Sequence, residues 1–431
     1  MDLRFYLLSL GCAKNLVDSE MMTGLLLENG YEISGDPALA EIIIVNTCGF
    51  IQAAKEEAIA HILELARYKK EGVCNLLLAV GCMAEKYAGE MAASMPEIDA
   101  FLGTGEYEKI LDLLPKGQVL VTEKPYLLRR LATPPYSAYL KIAEGCDNHC
   151  SYCLIPQLRG PYRSRPLADL LEEARHLLAR GVKELILIAQ DTTSYGLDIY
   201  GKMSISRLLE ELAALPFLWI RLLYSYPGRI DENLLQVMAA HENICHYLDI
   251  PIQHGDEGIL QAMNRPGGRT AIDKSLALSR KYLPDLALRT TVMVGFPGEE
   301  EKNWLALLDF LRGAGFDWVG VFAYCREQDT AAALLPLQVA EKTKMRRREQ
   351  TLELLSRLSA EKQKRWLGQE LQVLVEEAVS DKPGWCRGRT QYQAPEVDGS
   401  TFFPGPDLIP GQVVKVKVTA TDIYDLIGEI I

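Results

Sequence analysis

The chain has 431 residues, 48% hydrophobic and 24% charged, with a net charge of −12 at pH 7, which is material for two or three domains. No apolar stretch is long enough to cross a bilayer and the short run after Met1 is too brief for a secretory leader, so a cytoplasmic protein without membrane partners is expected. The acidic balance argues against a strong phosphate-binding surface and fits a basic partner, and ten cysteines in a large cytosolic chain read as cluster or metal ligands rather than disulfides.

Residues 3–9 read as a strand, and Leu16 to Asn29 has helical apolar spacing through Met21, Met22, Leu25 and Leu26, with Gly30 as a stop. Glu41–Asn46 and Asn75–Val80 are short buried strands, Gln52 to Lys70 is a helix, and another helix starts near Ala84. Alternating strand and helix imply a doubly wound parallel sheet. Cys12, Cys48 and Cys82 each fall one to three residues past the carboxyl end of a strand. Those ends share one edge of an open parallel sheet, so the three cysteines should converge where such sheets bind ligands; buried core cysteines are the bland alternative. Phe101 to Leu114 completes this unit, and residues 115–135, with Pro115, Lys116, Gly117, Pro125, Pro134 and Pro135, read as a linker.

Residues 138–142 form a strand leading into Cys146-Asp147-Asn148-His149-Cys150-Ser151-Tyr152-Cys153. This C-x3-C-x2-C loop can turn three thiolates toward one point. Soft thiolates select iron–sulfur clusters, zinc or copper(I). A closed site wants a fourth ligand, and only a poorly spaced zinc variant through His149 offers one. Three ligands on a four-iron cluster would leave one iron open. Five further strands, at 184–189, 219–223, 246–250, 287–294 and 318–322, alternate with amphipathic helices at 167–180, 205–214, 232–240, 271–282 and 299–312. Six strand–helix repeats imply an open partial barrel, whose active residues lie at the carboxyl ends of the strands. Gln190-Asp191, Tyr224–Pro227, Pro251–Gly255 and Gly295–Glu299 occupy such ends. Gly295–Glu299 reads equally as a turn into a helix with early acids, and His254 as a hydrogen-bonded structural histidine. Arg159, Arg163 and Arg165 suit either bidentate carboxylate binding or a solvated loop. Cys74, Cys245, Cys325 and Cys386 have no ligand spacing and read as structural.

Residues 339–367 carry a long charged helical pattern with an apolar stripe of Met345, Leu352, Leu355 and Leu358. Its basic run from Lys342 to Arg348 reads as a solvated face rather than a nucleic-acid contact. After Gly368 the period changes to two. Strands at 370–377, 384–390, 412–419 and 425–431 imply a small antiparallel β-barrel. From 368 to 431 there are five basic residues against ten acidic ones, poor for phosphate and suited to a basic protein.

The C-x3-C-x2-C loop with Tyr152 before its last cysteine resembles the signature of radical S-adenosylmethionine (SAM) enzymes. Ser9-Leu-Gly-Cys12-Ala-Lys-Asn15-Leu-Val-Asp18-Ser-Glu20, Asn46-Thr-Cys48-Gly-Phe50 and Gly81-Cys82-Met-Ala-Glu85 are similar to the N-terminal domain of methylthiotransferases, and Gly388-Arg-Thr390 with Pro395–Gly399 to their terminal TRAM domain. The resemblance covers essentially the whole chain. It implies an N-terminal methylthiotransferase domain over 1–118, a radical SAM core with a (β/α)6 partial TIM barrel over 132–362, and a TRAM domain over 366–431. It implies two 4Fe–4S clusters, one on Cys146, Cys150 and Cys153 that cleaves SAM to a 5′-deoxyadenosyl radical, and one on Cys12, Cys48 and Cys82 that donates sulfur. A second SAM supplies the methyl group. Tyr152, Gln190, Asp191, Gln253, Gly295 and Glu299 are the implied SAM pocket. Within the family, the motif around Cys12 is most similar to the branch that modifies the β-carbon of an aspartate in small-subunit ribosomal protein twelve, a very basic protein. A low-potential donor such as flavodoxin or ferredoxin is required, and direct transfer-RNA binding is not expected. The rivals are a transfer-RNA methylthiotransferase, which wants a basic final domain, and a non-catalytic iron–sulfur or zinc-binding protein.

Overall fold

The computed structural model describes residues 3–114, 122 and 124–431. Pro115, Lys116 and Gly117 of the expected linker, and the boundary near residue 118, lie outside the described residues.

Five parallel strands, β1 (Arg4–Ser9), β2 (Glu32–Ile33), β3 (Ile42–Thr47), β4 (Leu76–Gly81) and β5 (Ala100–Leu102), form a sheet in the order β2-β1-β3-β4-β5. Every residue of β3 is buried, as befits a strand covered on both faces. Helix Ala13–Glu28 packs Met22 and Leu26 on one face of the sheet. Helices Gln52–Ala66 and Cys82–Ser94 pack Ala58, Ile62, Met83 and Met91 on the other. The expected helix Gln52 to Lys70 stops at Ala66, and Tyr68–Glu71 forms a separate turn. The edge strands β2 and β5, two and three residues long, were too short to show a period of two.

Gly24 lies inside the first helix, where alanine ordinarily stabilises by about 1 kcal/mol. Here a Cβ would fall 2.1 Å from the backbone oxygen of Leu128, which cannot swing aside as a side chain can. Gly24→Ala is expected to destabilise by about 1–3 kcal/mol, read as a lowered melting temperature in calorimetry.

The core domain has six parallel strands: β6 (Ser137–Lys141), then, after the short hairpin β7 (Ala143–Glu144) and β8 (Arg163–Ser164), β9 (Glu184–Ile188), β10 (Trp219–Leu222), β11 (Tyr247–Asp249), β12 (Ala287–Val294) and β13 (Trp318–Ala323). They form two three-stranded sheets, β6-β9-β10 and β11-β12-β13, joined by the bridge Ile220–Ile244. The curved sheet stays open, as six repeats predict. Leucine-rich helix faces, including Leu170, Leu208, Leu234 and Leu276, cover its outside.

The terminal domain closes a barrel from β14 (Glu370–Ala378), β15 (Trp385–Arg389), β16 (Thr401–Pro404), β17 (Val413–Thr421) and β18 (Leu426–Ile430), in the order β14-β15-β16-β18-β17. The barrel is not wholly antiparallel: β16, absent from the expected strands, pairs parallel with β18. Four residues ending in proline offered no alternation to read.

This barrel plugs the lumen of the core. Tyr139, Trp219, Tyr247 and Trp318 from core strands pack with Tyr392 and Leu426. Below them Glu184, fully buried, accepts hydrogen bonds from Arg221 Nε (2.9 Å) and Arg389 Nη2 (2.7 Å). Burial alone would raise the Glu184 pKa, but the charges and hydrogen bonds of Arg389 and Arg221 outweigh it and lower it to about 2. A lowered carboxylate stabilises above its unfolded pKa and loses that contribution as pH falls through the folded value. Docking of the terminal domain should therefore hold at neutral pH and weaken between about pH 4.5 and 2, measurable as rising hydrogen exchange in β15. Glu184→Gln should reduce that dependence, leaving the part carried by Asp285, which is lowered to about 2 chiefly by its hydrogen bond with His246 and accepts from Tyr392 of the terminal domain.

The long helix spans Glu341–Gln363, but its inward stripe is Lys344, Arg347, Thr351, Leu355, Ser359 and Gln363. Met345 is 38% exposed. The reading of Lys342–Arg348 as a solvated face is therefore corrected at two positions. Arg347 donates to Glu299 (2.7 Å), a buried carboxylate that only the tertiary structure brings there. Of the remaining cysteines, Cys74, Cys245 and Cys386 are buried. Cys325 is exposed and donates to Glu327 (3.0 Å).

A candidate active site between two cysteine trios

Three crossed contacts fix the N-terminal domain on the core. Glu327 accepts from the Gln52 backbone at the start of a helix (2.7 Å) and pairs with Lys55 (2.9 Å). Lys86 pairs with Asp329 (2.9 Å). Lys141 of β6 bonds Asp18 of the first helix. With this docking, the carboxyl edges of both sheets face one cavity of about 380 Å³, lined by Cys12, Cys48, Cys82, Cys146, Cys150 and Cys153.

Cys12 precedes the first helix, Cys48 follows β3, and Cys82 opens the helix after β4. Asn15 ties these strand ends together by donating to Leu10 O (2.9 Å) and Thr47 O (3.0 Å). Asn46 donates to Asn15 O and Ser19 (both 2.9 Å). Gly11 has φ +91°, and a Cβ there would sit 2.8 Å from that of Cys48; glycine is what lets the cysteine-bearing turns approach.

The second trio follows β7. Its loop is strapped down by Ser151 N to Met263 O (3.0 Å), Asn264 to His149 O (2.8 Å) and Ala332 N to Ser151 O (2.7 Å). Gly145, at φ +81°, passes so close to Pro161 O that a Cβ would lie 2.0 Å from it.

All ten cysteines are free thiols. Among the described residues no three histidine, cysteine or carboxylate side chains converge on a single-ion site. The donors around the sulfurs, rather than a preformed coordination shell, are what fit each trio to a cluster. Asn148 donates to Cys146 Sγ (3.3 Å), the Ile155 backbone to Cys153 Sγ (3.4 Å), Arg265 to Cys150 Sγ (3.8 Å) and Arg159 Nε to Cys82 Sγ (3.3 Å). Such donors stabilise thiolate and tune cluster potential. Burial pushes the Cys82 and Cys153 thiols up to about 12, so bound iron would be what keeps these sulfurs deprotonated.

Tyr152, Gln190, Asp191 and Gln253 also line the cavity. Gln190 donates to Glu144 (2.8 Å), and its buried Oε1 has no partner. Asp191 is 2% exposed and accepts from Asn148 (2.9 Å), Thr193 N (3.1 Å) and Arg229. It braces the loop carrying Cys146 rather than offering a free carboxylate.

Gly295 and Glu299 are not among the residues that line this cavity. The Gly295 N–H donates to both Glu299 oxygens (2.9 Å), and Lys344 fills the space where a Cβ would be. Glu299 is engaged by Arg347 and lies 3.3 Å from His254 Nε2. The next residue, Glu300, caps the helix with Asn303. The turn reading holds for this stretch, and buried His254 is structural, accepting from Asp256 N (3.0 Å).

The three arginines after the cysteine loop separate. Arg163 is exposed, and Arg165 pairs with Glu173 (2.6 Å). Arg159, 2% exposed, reaches Glu144 (2.8 Å), Asp18 (3.4 Å) and Asn15 as well as Cys82. It thus links the two domains at the cavity wall. Sequence reasoning missed Asn148, Arg229 and Arg265. Arg265, far from any cysteine motif, carried no signal, whereas Asn148 sat inside the loop and could have been noticed.

An open six-stranded barrel with three cysteines looped over its carboxyl edge defines a radical SAM enzyme, here facing a second cysteine trio on an N-terminal parallel sheet. Family models match in the same order: the uncharacterized protein family UPF0004 over residues 4–103, the radical SAM superfamily over 140–311 and the TRAM domain over 367–431. The chain belongs to the RimO family of ribosomal protein uS12 methylthiotransferases. It is 48% identical to the member from Pelotomaculum thermopropionicum (100% of this chain, 99% of that one) and 45% to that from Clostridioides difficile (100% and 99%). It is 45% identical to that from Geobacter sulfurreducens (99% and 98%). Among solved structures, the radical SAM methyltransferase TsrM from Kitasatospora setae aligns with a TM-score of 0.57 at 16% identity, covering 78% of this chain and 77% of that one. The cobalamin-dependent SAM radical enzyme OxsB aligns at 0.52 and 12%, covering 82% and 55%; both likenesses concern the fold. The chain is therefore an enzyme of the radical SAM class, using SAM and a 4Fe–4S cluster. Among the described residues no helix is long and apolar enough to cross a membrane.

Proposed function

We propose that this enzyme adds a methylthio group to the β-carbon of an aspartate in ribosomal protein uS12, with Cys146, Cys150 and Cys153 holding the SAM-cleaving cluster and Cys12, Cys48 and Cys82 a second, sulfur-donating one. One observation carries the reading: both trios line a single cavity. When bound, the two clusters and SAM supply a hydrogen-abstracting radical, sulfur and, from a second SAM, a methyl group. A substrate carbon lodged between the trios could lose hydrogen on one side and receive sulfur on the other.

The chain's own residues set this stage. Asp191 holds Asn148 against Cys146, and Arg265 donates to Cys150. Arg159, anchored by Glu144, donates to Cys82. Tyr152, Gln190 and Gln253 wall the space in which SAM would lie. Most of the wall's surface is apolar, although Lys14 and Ser225 also reach it, and an apolar wall would limit the water able to quench a reactive carbon. A low-potential protein such as flavodoxin or ferredoxin would supply electrons. The acidic terminal domain suits the basic ribosomal protein and disfavours transfer RNA.

The test is a substrate comparison. Anaerobically reconstituted enzyme with SAM, sulfide and reductant is given small ribosomal subunits or bulk transfer RNA, and each is analysed by mass spectrometry. Methylthio addition to uS12 alone is the expected result. Addition to transfer RNA alone would keep the chemistry and overturn the substrate.

A further inference from the structure

Most cations facing the cavity already have partners. Arg159 is paired with Glu144 and Asp18. Arg265 donates to Pro251 O and to Cys150 Sγ, and so belongs to the side of the SAM-cleaving trio. Lys14 is different. It is 6% exposed, lines the cavity, and places its Nζ 3.2 Å from the centre of the Tyr224 ring. Among the described residues it has no carboxylate or hydrogen-bond partner. A desolvated ammonium whose protein contact is an aromatic ring retains capacity for an anion, because the ring offers less than a carboxylate in a low-dielectric site.

The platform under it is built with care. Tyr224 has φ +60°, a left-handed conformation costly for a bulky residue. Asp249 accepts from its N–H (3.3 Å), and its carbonyl accepts from Thr192 N (3.1 Å). Asp249 is in turn held by Arg289 (3.0 Å). The ring is thereby fixed at the carboxyl edge of the core while the cation comes from the other domain, two residues after Cys12.

We propose that Lys14 binds the side-chain carboxylate of the substrate aspartate and so is a specificity-determining residue. This rests on the uS12 reading above and deepens it. The carboxylate is one bond from the β-carbon, so clamping it fixes the reacting atom beside the wall that bears Cys12. An adenine ring offers no such group, which would make the same lysine a selector for a protein substrate. SAM also carries a carboxylate, and the experiment separates the two sources.

Cluster-loaded full-length enzyme is compared with Lys14→Met and Lys14→Arg by equilibrium binding of purified uS12 and, separately, of SAM, with iron content measured on each. Lys14→Met is expected to raise the Kd for uS12 about tenfold or more and that for SAM by less than about twofold, while Lys14→Arg recovers most of the loss. uS12 with its target aspartate changed to asparagine should bind the wild-type enzyme about tenfold more weakly and lose almost nothing further against Lys14→Met. A raised Kd for SAM with uS12 binding unchanged would assign the cation to SAM and overturn the proposal. So would an equal asparagine penalty in both enzymes. Should Lys14→Met lose iron, the asparagine substrate against unaltered enzyme still decides, since no penalty there means no carboxylate contact. Wild-type enzyme that neither binds nor modifies uS12 would instead sink the parent reading, whatever Lys14 does.

Discussion

Cys146→Ala is expected to abolish SAM cleavage, with 5′-deoxyadenosine falling to background and iron dropping from about eight to about four per chain. Cys146 is buried, and its sulfur receives the Asn148 hydrogen bond that Asp191 braces. His149, at φ +48°, has its backbone carbonyl held by Asn264. Cys12→Ala should behave differently. Cys12 is exposed at the opposite trio, so its loss should also halve the iron, yet 5′-deoxyadenosine should continue to form without methylthio addition. Chromatography of the nucleoside and mass spectrometry of uS12 separate the two. Cleavage surviving the loss of Cys146 would refute the division of labour between the trios.

The second large effect concerns folding. Arg129→Met should destabilise the protein by about 3–5 kcal/mol and lower the first calorimetric transition. Arg129, 1% exposed, donates to Glu20 of the first helix through Nη2 (2.5 Å) and Nε (3.1 Å), to Tyr139 O (2.9 Å) and to Glu173. Glu20 and Glu173 are equally buried, so removing the guanidinium leaves Glu20 without a counter-ion and Glu173 with Arg165 alone in a low-dielectric interior. Arg129→Lys should recover little, since a single ammonium cannot serve two carboxylates and a carbonyl as the planar fork does. Adding Glu20→Leu to Arg129→Met should recover part of the loss by removing one orphaned charge. A full recovery in the lysine variant would show that charge alone, not the fork, holds the domains together. The same triad explains why the segment after Pro125 is more than a tether: it threads a cation between two domains.

What the sequence determined by itself was local. Short, mostly apolar runs lying between amphipathic helical stretches placed all six barrel strands. The three widely separated cysteines could be expected to converge, because a parallel sheet aligns the carboxyl ends of its strands whatever the loops between them do. Short elements escaped: β2, β5 and β16 are two to four residues long and exist because a neighbouring strand offers a ladder. Only the tertiary structure decided which charges were paired. Arg159 and Arg163 lie four residues apart, yet one is sealed against Cys82 and Glu144 while the other meets solvent. Glu299, at a strand end that looked like a pocket, is spent on Gly295 and Arg347. Lys14 reads in sequence as one of several lysines, and the opposing domain alone sets it over Tyr224 without a counter-ion. Periodicity reports which face of an element is buried. Which charge meets which depends on how faces from distant parts of the chain are docked, and that information is carried by no single stretch of it.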